Sequence, residues 1–198
     1  MNLQSLYDSI GASGAALVVV AAIAAYLSVK NIVYLGWIGW AFHRYIAGMD
    51  REPRRLDVAN GARAGNPLIR IFSEAVQAGC LGHDALRAEL AFRFHKHFRK
   101  VNRAMTLLRL ISVISPLLGL LGTVLGISKV FRVIASQAVA NPALLANGIW
   151  EALTTTVMGL TITIPVLCLY YFFRMQIHGF QVELMEYAGR FSAAMESR

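Results

Sequence analysis

Three apolar runs organise the chain. The first, Ala12 to Val29, is uncharged and stops at Lys30. The second, Leu110 to Ser128, is nineteen uncharged residues between Arg109 and Lys129. The third, Ala152 to Phe173, runs uncharged between Glu151 and Arg174. Each is close to the ~20 residues that a helix needs to cross a hydrocarbon core. After the first run, Lys30 can snorkel to an interface. The stretch that follows, "NIVYLGWIGWAFHRY", carries two tryptophans and two tyrosines. That composition suits an interfacial belt or a helix continuing out of the bilayer.

Between the first and second runs the pattern becomes amphipathic. Asn66-Pro67 has the N-cap and first-turn chemistry of a helix start. From about Asp84, the spacing of Leu86, Leu90, Phe94, Phe98, Val101 and Met105 follows one helical stripe. Nothing breaks that stripe before the second span, so one long helix is predicted to enter the membrane. The tail, Gln176 to Arg198, is mixed polar and also reads as helix.

The predicted fold is therefore all-α: a polytopic membrane protein with three transmembrane helices extended by cytoplasmic helices. Four parts follow from the pattern. Residues 1–42 hold the N-terminal external segment, the first span and its aromatic extension, and 43–104 form a basic helical cytoplasmic loop. Residues 105–175 hold the second and third spans, and 176–198 form a C-terminal cytoplasmic helix. Composition supports this division, since 57% of the 198 residues are hydrophobic and only 15% charged.

The net charge of +8 changes the picture only through its distribution. Between His43 and Ala104 there are twelve Lys/Arg against six Asp/Glu, whereas the first thirteen residues hold Asp8 and no Lys or Arg. The positive-inside rule produces that asymmetry, and a nucleic-acid-binding patch is not needed to explain it. The expected topology has the N-terminus outside, a long cytoplasmic loop, a short external connection and a cytoplasmic C-terminus. No basic residue precedes the first run and no small-x-small cleavage site leads into a polar chain, so the run is expected to be retained. The two cysteines, Cys80 and Cys168, are read as free thiols.

The second and third runs are not uniformly apolar. At ~100° per residue, Ser112, Ser115, Pro116, Gly119, Gly122, Thr123 and Gly126 fall within an arc of about 120°. On the third run, Gly148, Glu151, Ala152, Thr155, Thr156, Gly159 and Thr163 fall within roughly 140°. Each helix thus has one small, polar face and one bulky face compatible with lipid. Gly122-x-x-x-Gly126 is a small-xxx-small pattern, and close helix packing accounts for the glycines. A carboxylate and a threonine cluster go beyond what packing requires. Thr123 and Thr156 are expected at matched depth, about 8 Å inside the outer ends of their spans. Glu151 stands nearer the outer mouth, either in a polar cavity or at the interface, because the 22 residues after it already reach about 33 Å.

The stretches "SPLLGLLGTVLGI" and "NPALLANGIWEALTTTVMGLTITIP" resemble the paired signature of the MotA/TolQ/ExbB proton-channel family. The likeness covers about Arg103 to Phe173, and three spans with an external N-terminus are similar to its ExbB and TolQ branch. Ser115 departs from the alanine that commonly precedes the proline, and consecutive Thr154 and Thr155 make the third helix more polar than in many relatives. The resemblance implies a homopentameric bundle around a central pore in the bacterial inner membrane. That pore would enclose a dimer of an ExbD- or TolR-like single-span protein whose membrane aspartate carries protons. It puts the proton pathway on Thr123, Glu151 and Thr156. Ser115, Pro116, Gly119, Gly122, Gly126, Gly148, Thr155, Gly159 and Thr163 make up the adjoining pore or packing face. The implied function is energy transduction from proton-motive force to outer-membrane import through a TonB-like partner. A TolQ-like subunit of a Tol-Pal envelope system and a non-conducting membrane scaffold are the alternatives.

Enzymatic readings find little to stand on. Ser128 and Lys129 are adjacent, but there is no G-x-S-x-G elbow and no P-loop. His43, His83, His95, His97 and His178 all lie outside the three runs, so no metal site is expected in the membrane. No cofactor is expected.

Overall fold

The computed structural model describes residues 3–49, 66–77, 83–136 and 142–196. Four helices occupy them: α1, Leu3–Met49; α2, Pro67–Gln77; α3, His83–Ser136; and α4, Pro142–Glu196. Three of them are long and apolar enough to cross a membrane, through Ser13–Phe42, Asp84–Ala135 and Leu145–Arg190. The aromatic stretch after Lys30 continues α1 without a break to Met49. Cys80, residues 50–65 of the predicted loop and the predicted connection at 137–141 lie outside the described residues.

Each long helix buries one narrow stripe. On α3 it runs through Phe98, Val101, Met105, Leu108, Ser112, Ser115, Gly119, Gly122 and Gly126. Steps alternate between three and four residues, a mean of about 3.5, which is the spacing of left-handed helix packing. On α1 the stripe passes through Leu17, Ala24, Ser28, Asn31, Leu35, Ile38 and Phe42, and on α4 through Ala152, Thr155, Gly159, Val166, Tyr170, Phe173, Phe180, Leu184 and Ala188. Along α3 the stripe changes from large side chains to small ones at Ser112.

The chain divides into two compact units with different interiors. The unit formed by residues 30–105 and 172–198 is filled by large side chains, among them Leu68, Ile71, Leu90, Phe98, Phe173 and Leu184, all essentially inaccessible. Phe94 stacks on Phe98 with ring centroids 4.4 Å apart. Bulky apolar filling is what water favours, at about 1.5–3 kcal/mol for each large side chain fully buried. Helix α2, at eleven residues, is too short to persist alone and is held by this core. Its start is fixed by Asn66, whose Oδ1 accepts from Leu68 N–H at 2.9 Å. Asn66 Nδ2 also donates to the Ile38 carbonyl at 3.0 Å, tying α2 to α1. The other face is clamped by ions. Arg93 donates to Glu74 at 2.7 Å and to Glu89 at 2.6 Å, and Arg70 reaches Glu74 at 2.8 Å.

The unit formed by residues 1–29 and 106–171 is built otherwise. Many of its buried positions are Ser, Thr, Gly and Ala, beside Leu17, Leu108, Val166 and Tyr170, while Leu117, Leu121, Val124, Leu153, Val157 and Leu160 point outward. In lipid there is no hydrophobic gain from burying leucine, and close backbone approach with interhelical hydrogen bonds takes over.

Candidate functional site

The glycines of α3 and α4 set the distance between the two helices. A Cβ on Gly159 would stand 2.6 Å from the Ser115 carbonyl oxygen, and one on Gly119 would stand 2.9 Å from that of Thr155. A Cβ on Gly126 would meet that of Ala152 at 2.8 Å, and one on Gly148 would collide with the Val130 side chain. At Gly122 the obstacles are the Thr155 side chain and the Ser13 hydroxyl of α1. Pro116 sits inside α3, where a proline ring leaves a carbonyl one turn back without its helical donor. Nearby serines bond the backbone of their own helix, Ser112 to the Arg109 carbonyl and Ser115 to that of Ile111, each at 2.8 Å.

Against this seam three hydroxyls converge on two carbonyls. Thr155 donates to the Ala152 carbonyl at 2.8 Å and lies 3.3 Å from that of Gly119 across the seam. Thr156 reaches the Gly119 carbonyl at 3.1 Å. Thr123 lies 3.1 Å from the Ala152 carbonyl and 3.2 Å from that of Gly119, and its hydroxyl meets the Thr156 hydroxyl directly. A hydroxyl has one proton and two acceptor positions, so three protons are shared among six close oxygen–oxygen contacts. Several donor patterns are therefore available at fixed heavy-atom positions. Thr155 is buried, whereas Thr123 and Thr156 remain half-buried and keep an open side.

Ser115, Gly119, Gly122, Gly126, Thr155 and Gly159 are buried between helices of one chain. Pro116, Gly148 and Thr163 are half-buried, and Thr163 bonds the Gly159 carbonyl at 2.8 Å. Glu151 has an ion-pair partner in Lys129, with Nζ 3.8 Å from Oε1, and the two side chains are 29% and 67% exposed. A contact that long and that open has little energetic weight. The structure thus brings Thr123 and Thr156 together and directs Glu151 to Lys129.

Sequence reasoning missed the polar contributions of α1. Ser13 reaches the Gly122 turn, and Ser28 and Asn31 are buried, with Ser28 Oγ and Asn31 Nδ2 lacking hydrogen-bond partners among the described residues. The available signal was that Ser28 and Asn31, three residues apart, share one helix face. His95 and His97 of α3 have local roles: His95 Nδ1 bonds the Ala91 carbonyl at 3.0 Å and His97 Nδ1 that of Arg93 at 3.2 Å. Cys168 is a free thiol, as expected.

Long helices with lipid-compatible exteriors, meeting through glycines and a threonine cluster, define a polytopic helical membrane protein with a polar interhelical seam. The sequence profile of the MotA/TolQ/ExbB proton channel family matches residues 63–186, more than half of the chain. The chain belongs to that family, which is of channel and transport type. It is 32% identical over 143 residues to the biopolymer transport protein ExbB of Salmonella typhimurium, covering 68% of this chain and 59% of that protein. It is 51% identical over 65 residues to the biopolymer transport protein exbB1 of Vibrio cholerae, covering 32% and 28%. Over 107 residues it is 33% identical to the biopolymer transport protein ExbB of Pseudomonas putida, covering 52% and 32%. The chain thus spans less than two thirds of each of these relatives.

Proposed function

We propose that this chain is the channel-forming subunit of an ExbB-type energy-transduction complex in the inner membrane. Five copies surround a dimer of a single-span, ExbD-like partner, with the N-terminus periplasmic and the C-terminus cytoplasmic. Proton-motive force is passed through a TonB-like protein to outer-membrane import. The observation that carries this reading is the Thr123–Thr156 contact. It holds two hydroxyls side by side inside a membrane helix pair, with alternative donor patterns and an open side toward a neighbour. Family membership and the ExbB relatives point the same way.

The energetics are sufficient. One proton crossing 100 mV releases about 2.3 kcal/mol. The three predicted spans contain no aspartate, so the group that takes up and releases the proton is assigned to the partner. Thr123 and Thr156 order water or hydrogen-bond that carboxyl, and Glu151 holds charge near the mouth. Native mass spectrometry of the chain co-expressed with an ExbD-like single-span protein tests this assembly. A mass of five copies plus two is expected. A chain that purifies without such a partner contradicts the reading.

A further inference from the structure

Lys129 faces Glu151 across the seam of α3 and α4, and the backbone alone explains why they meet. The seam closes on both sides of them. Toward Thr123, a Cβ on Gly126 would stand 2.8 Å from that of Ala152, and toward the helix ends one on Gly148 would collide with the Val130 side chain. These two contacts set the register of the antiparallel pair. They put Glu151 level with Ile127, about 3 Å nearer Thr123 than Lys129 is, at ~1.5 Å per residue. Each Cα–Cβ bond leans toward the N-terminus of its own helix, so in an antiparallel pair these two side chains lean toward each other. Lys129 Nζ accordingly lies 3.8 Å from Glu151 Oε1.

Folding does not need the pair. Glycine and alanine contacts on either side already fix the helix spacing, and so open an ion pair adds little to stability. Its weight lies in charge. Glu151 is the only Asp or Glu between Glu89 and Glu183, and Lys129 and Arg132 are the only Lys or Arg between Arg109 and Arg174. Arg132 is exposed and has no carboxylate partner among the described residues. A lone carboxylate at this end of the seam would disfavour the ionised form of a second carboxyl brought beside it, because like charges repel. An ammonium on the first carboxylate removes that penalty.

We propose that Lys129 is a positioning residue for the proton transfer. Its ammonium holds the Glu151 carboxylate at the end of the seam and cancels its charge, so that the partner's carboxyl can release its proton nearby. This role rests on the proposed channel activity.

Two measurements on the full-length complex test it. The first needs no transport: a water-soluble carbodiimide should join Lys129 to Glu151 as an amide, detected by peptide mass spectrometry. The second is proton-motive-force-dependent uptake in cells at matched membrane levels. Lys129→Gln is expected to lower uptake about tenfold, the weight of one pKa unit at the partner's carboxyl, with the oligomeric mass unchanged. Lys129→Arg should keep most of the uptake. The exchanged pair, Lys129→Glu with Glu151→Lys, should recover part of what either single change loses, which a purely local packing role would not produce. Arg132→Gln should leave uptake unchanged. Wild-type uptake by Lys129→Gln overturns the proposal, as does absence of the amide in the wild-type complex. Loss of the complex in Lys129→Gln would make the pair structural and overturn it equally. If the amide forms but the wild type shows no such uptake, the channel reading fails, and this role with it, while the pair itself stands.

Discussion

Gly159 lies directly against the Ser115 carbonyl oxygen, at a separation that leaves a Cβ only 2.6 Å from it. The obstacle is backbone, so no side-chain rotation relieves it. Gly159→Ala is therefore expected to push α3 and α4 apart and destabilise the protein by about 1–3 kcal/mol. Gly36→Ala, with open space around it, is expected to be neutral or slightly stabilising. Denaturant-induced unfolding of the two purified variants in detergent checks the contrast. Equal stabilities would mean that the seam is looser than described.

A second prediction concerns the clamp on α2. Glu74 has its carboxyl held below the ordinary value of 4.5, chiefly by the hydrogen bond from Arg70 and further by that from Arg93, against the opposing effect of burial. A depressed folded-state pKa gives stabilisation that is full above the unfolded value and is lost as pH falls through the folded one. Hydrogen exchange in Pro67–Gln77 should be independent of pH protection changes above about 5 and accelerate beyond its intrinsic trend as pH drops below about 4.5. Glu74→Gln should remove that acid-side step and leave the cap at Asn66 intact. An acid-side step that survives in Glu74→Gln would assign it to another carboxylate.

Much of the fold was legible in the sequence because it is local. The Leu86 to Met105 stripe, the Asn66-Pro67 start and the three runs depend only on helical periodicity and capping. Which surface a stripe meets is not local. The small faces of α3 and α4 were readable as faces, but nothing in them told that Gly119, Gly159 and Thr155 would be buried against each other within one chain. The matched depth of Thr123 and Thr156 came from counting inward from the span ends, and the two hydroxyls do meet. Ser13 was invisible as a contributor because its contact at Gly122 is more than a hundred residues away.

Topology supplies a third prediction. Arg87 is exposed on α3, and the excess of basic residues between His43 and Ala104 leads to the expectation that it faces the cytoplasm. Arg87→Cys, in a chain carrying Cys80→Ser and Cys168→Ser, should react with a membrane-impermeant maleimide only after cells are opened. Labelling in intact cells would reverse the proposed orientation.

On the proposed function, the Thr123–Thr156 hydroxyl pair serves proton transfer. Thr156→Val keeps nearly the same volume and removes the hydroxyl. The cost to folding is expected to be small, about 0.6 kcal/mol for a typical interhelical hydrogen bond in a membrane. The most direct measurement is proton-motive-force-dependent uptake in cells expressing Thr156→Val or wild type at matched membrane levels. Uptake is expected to collapse while the amount and oligomeric mass of the complex are unchanged. Wild-type uptake by Thr156→Val would contradict it.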